Sequence, residues 1–176
     1  MPYAIELYLD KKSAEKVRSM RTKLRESGVN IDEGTKPHVS LAIYQELNIR
    51  VFRPRLQDFS KQKGSLNVSL ASIGMFTTEY PVVFLAPTVT DDLLSFHKEF
   101  HDYFREFDGA AWDYYRPGKW VPHCTLAMNL SDEMVGKAIE ITRRFSLPIR
   151  GALDRIGVLE FSPNKQLFEY EMISEL

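Results

Sequence analysis

Two short segments of the chain combine a histidine with a hydroxyl residue at the same spacing. His38 and Ser40 lie in the hexamer PHVSLA, and His123 and Thr125 lie in the hexamer PHCTLA. Imidazole titrates near neutral pH, so one copy can be neutral while the other is protonated. A hydroxyl can donate a hydrogen bond to a phosphate oxygen. These four side chains are therefore the groups needed to hold and cleave a phosphodiester without a metal.

Each hexamer has the alternation of a short β-strand, in which side chains two apart share a face. We therefore expect each histidine to point the same way as its hydroxyl partner. Tyr44 has the parity of His38 and is expected on that face. The intervening residues are expected to point into a core: Val39, Leu41 and Ile43 in the first copy, and Cys124, Leu126 and Met128 in the second. A single strand histidine is more often structural, but two copies that both keep the hydroxyl favour a function.

Size and charge restrict the classes of function. The chain has 176 residues and a net charge of −1. Proteins that bind long nucleic acids nonspecifically are usually basic, so a small phosphorylated ligand or the end of an RNA strand is the better match. One cysteine, a first segment without a signal-peptide pattern and the lack of a long apolar run predict a cytoplasmic protein with no membrane partner. We also expect a monomer.

The apolar pattern predicts strands interleaved with helices, which is typical of an α+β fold. The segment around Pro54 fits either a kinked helix or one that begins near the proline. The motif copies belong to a longer internal repeat, covering about 1–80 and 81–176 of a single bilobal domain. We expect two pseudo-symmetric lobes of antiparallel sheet, with helices outside and the active-site cleft between them. Strands are expected near 3–9, 38–44, 66–76, 81–85 and 148–160, with helices starting after Asp10 or Ser13, Thr90 and Ser131.

The paired motifs, about half a chain apart, resemble those of the 2H phosphoesterase superfamily, and within it the 2′-5′ RNA ligase-like (cyclic phosphodiesterase) group. The resemblance extends over nearly the whole chain, because the order of elements matches as well. It implies that His38 and His123 are the catalytic residues and that Ser40 and Thr125 bind phosphate. It also implies that the two motif strands are central in facing sheets. Ser40 replaces a threonine common in the family and keeps the hydroxyl.

The expected reaction is hydrolysis of a cyclic phosphodiester, such as a 2′,3′-cyclic phosphate, or of a 2′-5′ linkage on a nucleotide or RNA end. One histidine activates water and the other protonates the leaving oxygen, with these roles exchanged in the reverse, ligating direction. The near-symmetry leaves base and acid unassigned, and the resemblance favours His123 as base and His38 as acid. No cofactor or metal is expected. The alternative is a noncatalytic module that binds a nucleotide or RNA end in the same cleft.

Other residues are weaker candidates for binding the substrate. Aromatic and cationic side chains precede the second motif, and such mixtures suit base stacking and phosphate contact. His97 and His101 have the spacing of two helical metal ligands, but a solvated helix edge is the favoured interpretation. Cys124 is expected to be a buried, inert thiol. The candidate substrate-binding residues are Tyr115, Arg116, Lys119, Lys36 and Tyr44.

Overall fold

The computed structural model describes residues 1–161 and 163–174. Helices and strands follow each other in the predicted order, and the α+β fold class is confirmed. The helices are α1 (Lys11–Glu26), α2 (Ile49–Ser60), α3 (Asp91–Tyr103) and α4 (Asp132–Thr142), with 3₁₀ turns at Arg105–Ala110 and Asp113–Tyr115. The strands are β1 (Tyr3–Leu9), β2 (His38–Tyr44), β3 (Leu66–Phe76), β4 (Val82–Pro87), β5 (Cys124–Ala127), β6 (Ile149–Glu160) and β7 (Lys165–Glu171).

Side-chain caps fix the starts of three helices. Asp10, Thr90 and Ser131 each accept a hydrogen bond from a backbone N–H in the first turn of α1, α3 and α4. Such caps satisfy N–H groups that have no partner inside the helix. Helix α2 begins at Ile49 and continues past Pro54, so the proline lies inside the helix. Among the described residues, no helix has the length and apolar character needed to cross a membrane.

The seven strands form one antiparallel sheet that branches at β6. Strand β1 pairs with residues 153–160 of β6 on one side. On the other side, β3 pairs with residues 149–153 and β7 with residues 155–160. The sheet therefore has a first arm, β2–β1–β6–β7, and a second arm, β6–β3–β4–β5, which share β6.

Each arm contains strands from both halves of the sequence. Strands β6 and β7 of the second half complete the first arm, and β3 of the first half belongs to the second arm. The repeat thus interleaves its strands instead of building one lobe from each half. The motif strands β2 and β5 end the two arms and lie beside each other. They are terminal strands of the sheet, not the central strands that the resemblance implies.

Aromatic side chains of α2 and α3 pack together in the core. The ring of Phe59 lies 5.6–5.7 Å from those of Phe96, Phe100 and Phe104, in edge-on or tilted geometry. Such arrangements add about 0.5–1.5 kcal/mol per pair beyond burial. This cluster is part of the main core, which also includes the inward-facing residues of β2. The first motif strand therefore packs against the core.

Candidate active site

The first motif strand contains a β-bulge. Ser40 pairs with Glu6 of β1, whereas Ala42 pairs with Ile5, so Leu41 is an extra residue on β2. A bulge of this kind shifts the register by one, and the residues beyond it change face.

The second motif strand has a bulge at the same position of its hexamer. Thr125 pairs with Phe84 of β4, whereas Ala127 pairs with Val83, so Leu126 is the extra residue. The internal repeat therefore duplicates a backbone irregularity as well as the histidine and hydroxyl.

Because of the two bulges, some side chains of the motif strands point in the direction opposite to the predicted one. Ile43 and Met128 were expected in the core, yet both line the cleft described below. Tyr44 was expected beside His38, but it is fully buried, and its ring packs against Phe52 at 5.9 Å. Tyr44 is therefore a core residue and does not contact the cleft. Strict alternation failed because it allows no extra residue in a strand.

Side chains of α3 and the following loop hold the outer edge of β2. The indole Nε1 of Trp120 donates to the carbonyl of Ser40 at 2.9 Å. His97 and His101 donate from Nε2 to the carbonyl of Leu41 at 3.1 and 3.3 Å. The rings of His97 and Trp120 stack at 3.9 Å with an angle of 1°. Both histidines are buried, so the predicted solvated helix edge is wrong. They satisfy backbone groups that a terminal strand leaves unpaired.

An arginine holds the corresponding edge of β5. Arg21 donates from Nε and Nη2 to the carbonyl of Thr125 at 3.1 and 2.6 Å. Its Nη2 also lies 3.1 Å from Asp32 Oδ2, and both side chains are almost completely buried. Asp32 accepts a further hydrogen bond from Thr35 Oγ1 at 2.6 Å. Arg21 follows Met20 on the buried side of α1, and an arginine at such a position is the signal in the sequence that indicates this role.

The four motif side chains line one cleft of about 260 Å³ between β2 and β5. His38 and Ser40 form one wall, and His123 and Thr125 form the other. The chain thus brings both predicted pairs together. Further lining residues come from both arms and the connecting loops, and include Glu6, Asp32, Tyr115, Leu159 and Phe161.

Both imidazole rings are held in the same way. Nδ1 of His38 lies 2.7 Å from the carbonyl oxygen of Lys36, and Nδ1 of His123 lies 2.7 Å from that of Val121. Each carbonyl oxygen belongs to the residue two positions before the histidine. Because a carbonyl oxygen only accepts, Nδ1 carries the hydrogen in both rings. Nε2 is then the nitrogen that can take up or release a proton toward a ligand.

The surroundings of the two rings differ. His123 contacts two phenyl rings, with centroid distances of 4.8 Å to Phe76 and 5.3 Å to Phe84. Burial lowers the pKa of His123, which favours its neutral form. His38 instead has its Nε2 3.3 Å from Oε1 of Glu6. Burial raises the pKa of Glu6, and the nearby His38 partly offsets this effect. No sequence pattern pointed to Glu6, Phe84 or Asp32.

One predicted substrate-binding residue of the aromatic loop reaches the cleft. Tyr115 lines it, and burial raises the pKa of its phenol to about 12. Arg116 instead donates to the carbonyl of Asp108 at 2.6 Å and pairs with Asp113 at 3.6 Å. Lys119 is exposed and also pairs with Asp113. The cationic side chains of this loop therefore stabilise the loop itself.

Lys36 also points away from the cleft. Its ammonium pairs with Glu169 and lies 5.4 Å from the centre of the Tyr8 ring. Cys124 is buried, and burial raises the pKa of its thiol to about 11, in line with an inert thiol. Within residues 1–161 and 163–174, no three His, Cys, Asp or Glu side chains are grouped so that they could hold a metal ion.

Several solved structures have a fold similar to that of this chain. The apo structure of LigT from E. coli has a TM-score of 0.65 and 14% identity, over 97% of this chain and 96% of LigT. TT0787 of Thermus thermophilus has a TM-score of 0.69 and 15% identity over the whole of both chains. Usb1 of Kluyveromyces marxianus has a TM-score of 0.51 and 10% identity, over 94% of this chain and 97% of Usb1. LigT has also been solved in complex with 3′-AMP and with ATP.

No curated protein matches the chain. The model of the 2′-5′ RNA ligase superfamily, in contrast, matches residues 9–164. That match extends over most of the sequence and includes both motifs. The chain belongs to the 2′-5′ RNA ligase superfamily, the 2H phosphoesterases, and the resemblance indicated by the motifs is confirmed.

Proposed function

We propose that the protein is a metal-independent phosphodiesterase that hydrolyses a cyclic phosphodiester, such as a 2′,3′-cyclic phosphate, or a 2′-5′ linkage on a nucleotide or RNA end. Superfamily membership supports a phosphodiesterase-type activity. One observation carries the proposal: both His-x-Ser/Thr pairs line the same cleft, with Nδ1 of each ring tied to a carbonyl. Two imidazoles so arranged can supply both proton transfers that the reaction requires.

The mechanism assigns one role to each wall. A water molecule attacks phosphorus and gives its proton to Nε2 of His123, which its apolar surroundings keep neutral. The bond from phosphorus to the leaving ribose oxygen breaks, and Nε2 of His38 protonates that oxygen. The hydroxyls of Ser40 and Thr125 donate to the nonbridging oxygens, where negative charge accumulates.

The dimensions of the cleft favour a small substrate or a strand end. A volume of about 260 Å³ lies just below the usual range for small-molecule sites, which begins near 300 Å³. It accommodates the phosphate and part of the sugar, and the remainder of the ligand lies at the rim. There Phe161, itself a cleft residue, has its ring 6.2 Å from that of Trp112, and a base can stack on such a surface. The nucleotide complexes of LigT agree with a nucleotide-sized ligand.

The test measures turnover of 2′,3′-cyclic nucleotides and 2′-5′ dinucleotides in the presence of a chelator, with products resolved by chromatography. We expect turnover by the wild-type protein and a loss of about 10²–10⁴-fold in H38A and in H123A. K98A is the control, because Lys98 is exposed on α3 and pairs with Asp102 of the same helix. Wild-type rates in an H38A/H123A double variant would refute the mechanism. Saturable binding without product would instead identify a noncatalytic nucleotide-binding module.

A further inference from the structure

Glu6 is a buried carboxylate in the wall of the cleft. It is 1% exposed, and its Oε1 lies 3.3 Å from Nε2 of His38. Its Oε2 has no hydrogen-bond partner among the residues that the structure describes. Removing a carboxylate from water is costly unless a positive charge or hydrogen-bond donors compensate for it. The group that offsets this cost most is the imidazole of His38, which does so only when Nε2 is protonated.

The repeat shows what is unusual about this carboxylate. Glu6 pairs with Ser40, the hydroxyl residue of the first motif. The corresponding partner of Thr125 in the second motif is Phe84. The two halves thus place a carboxylate beside one histidine and a phenyl ring beside the other, at equivalent positions of their strand pairs. A carboxylate favours the imidazolium form, whereas apolar surroundings favour neutral imidazole.

We propose that Glu6 holds a proton on Nε2 of His38 and so makes His38 the acid, while Phe84 keeps His123 neutral and makes it the base. This inference rests on the proposed phosphodiesterase function, since acid and base are defined by that reaction. The proton that His38 gives to the leaving ribose oxygen is replaced from solvent after product release. Glu6 acts on the reaction through its contact with His38, so it is a positioning residue for the proton.

Three other ionisable side chains near the pair are neutral. Burial raises the pKa values of the nearby Tyr8, Tyr115 and Cys124, which remain neutral. Opposite Glu6, β6 presents Gly157, which carries no charge. The remaining charged neighbours are Arg21 of α1 and Asp32 of the following loop, which pair with each other at 3.1 Å. The proton balance of the cleft is therefore set by Glu6, His38 and His123.

The first test compares the pH dependence of kcat/KM for the wild type, E6Q and E169Q, with a 2′,3′-cyclic nucleotide as substrate. In E6Q we expect the alkaline limb to move to lower pH by about one to three pH units, the size of effect that an adjacent opposite charge has. The kcat/KM of E6Q should then be about 10- to 1000-fold lower than that of the wild type at high pH, and the two values should converge as the pH falls. E169Q removes a half-buried carboxylate that pairs with Lys36 and Arg155, and its profile should match the wild type.

The second test follows the imidazole resonances of His38 and His123 by NMR during a pH titration of the ligand-free protein. We expect the midpoint of His38 to fall in E6Q and that of His123 to stay near its wild-type value. If the wild type hydrolyses no substrate, the proposed function fails, and the titration still decides whether Glu6 holds the proton. An unchanged His38 midpoint, or an E6Q rate lowered by the same factor at every pH, would overturn the role of Glu6.

Discussion

Replacing Arg21 with methionine tests how the second motif is supported. The guanidinium and the carboxylate of Asp32 are 5% and 9% exposed in their side chains and lie 3.1 Å apart. Removing one partner of such a buried pair costs about 3–5 kcal/mol, because the other charge is left uncompensated. The same change leaves the carbonyl of Thr125 without two of its donors. Since a domain of this size is stable by about 5–15 kcal/mol, R21M should lose about a fifth or more of the free energy of unfolding.

A double-mutant cycle in urea separates the ion pair from the remaining contacts. We expect D32N to be destabilised as well, because the buried cation of Arg21 then loses its carboxylate. The R21M/D32N double variant should be more stable than the sum of the single losses predicts, since neither charge is left alone. Arg21 also donates from Nη1 to the carbonyl of Thr35 at 3.0 Å. R21K is the conservative control: it keeps the charge but cannot donate to Thr125, Asp32 and Thr35 at once. A loss below about 1 kcal/mol in R21M, or strictly additive losses in the cycle, would refute this account of the network.

Two further predictions concern the side chains that hold β2. Burial lowers the pKa of His97 from 6.5 to about 4, so the folded state binds fewer protons than the unfolded chain in that interval. This contribution to stability is complete above about pH 6.5 and is lost as the pH falls toward 4, by about 3 kcal/mol in total; urea unfolding at several pH values should show this slope reduced in H97Q. W120F removes the N–H that satisfies the carbonyl of Ser40 and should cost about 1–3 kcal/mol in the same assay. W112F is its control, because Trp112 is more than one-third exposed and donates to the side chain of Gln45, and a W120F protein as stable as W112F would contradict the assigned role of the indole.

The sequence was sufficient for the order of elements because each one carries a local signal. The caps at Asp10, Thr90 and Ser131 and the apolar periods are visible without tertiary information. The motif histidines were identifiable because the chain contains them twice. The bulges at Leu41 and Leu126 could not be identified in this way, because the residue types of a strand do not show that it contains one extra residue.

Residues far apart in the chain were also missed, and for a different reason. Glu6 precedes His38 by a helix and a loop, and its meaning depends on the register between β1 and β2. Arg21 reaches Thr125 across 104 positions of sequence. Lys36 and Lys119 were expected to face the cleft. Lys36 instead pairs with Glu169, and Lys119 pairs with Asp113. The alternation of residues in a strand cannot show whether a lysine binds the substrate or pairs with a carboxylate of the protein, because tertiary contacts determine this.

The reaction has two separate requirements, the orientation of the histidine rings and their protonation states. The two motifs are alike in the features that meet the first and differ in those that meet the second. A histidine that transfers a proton to or from a phosphodiester needs a fixed ring orientation, and a nearby hydroxyl can donate to the phosphate oxygens. Both copies provide these through the carbonyl two residues earlier and through Ser40 or Thr125. A base and an acid, however, need opposite protonation states at the same pH, and a perfectly symmetric site would give the two rings equal affinity for a proton. The exchange of Glu6 for Phe84 at equivalent strand positions removes this equality while leaving the orientation of both rings intact.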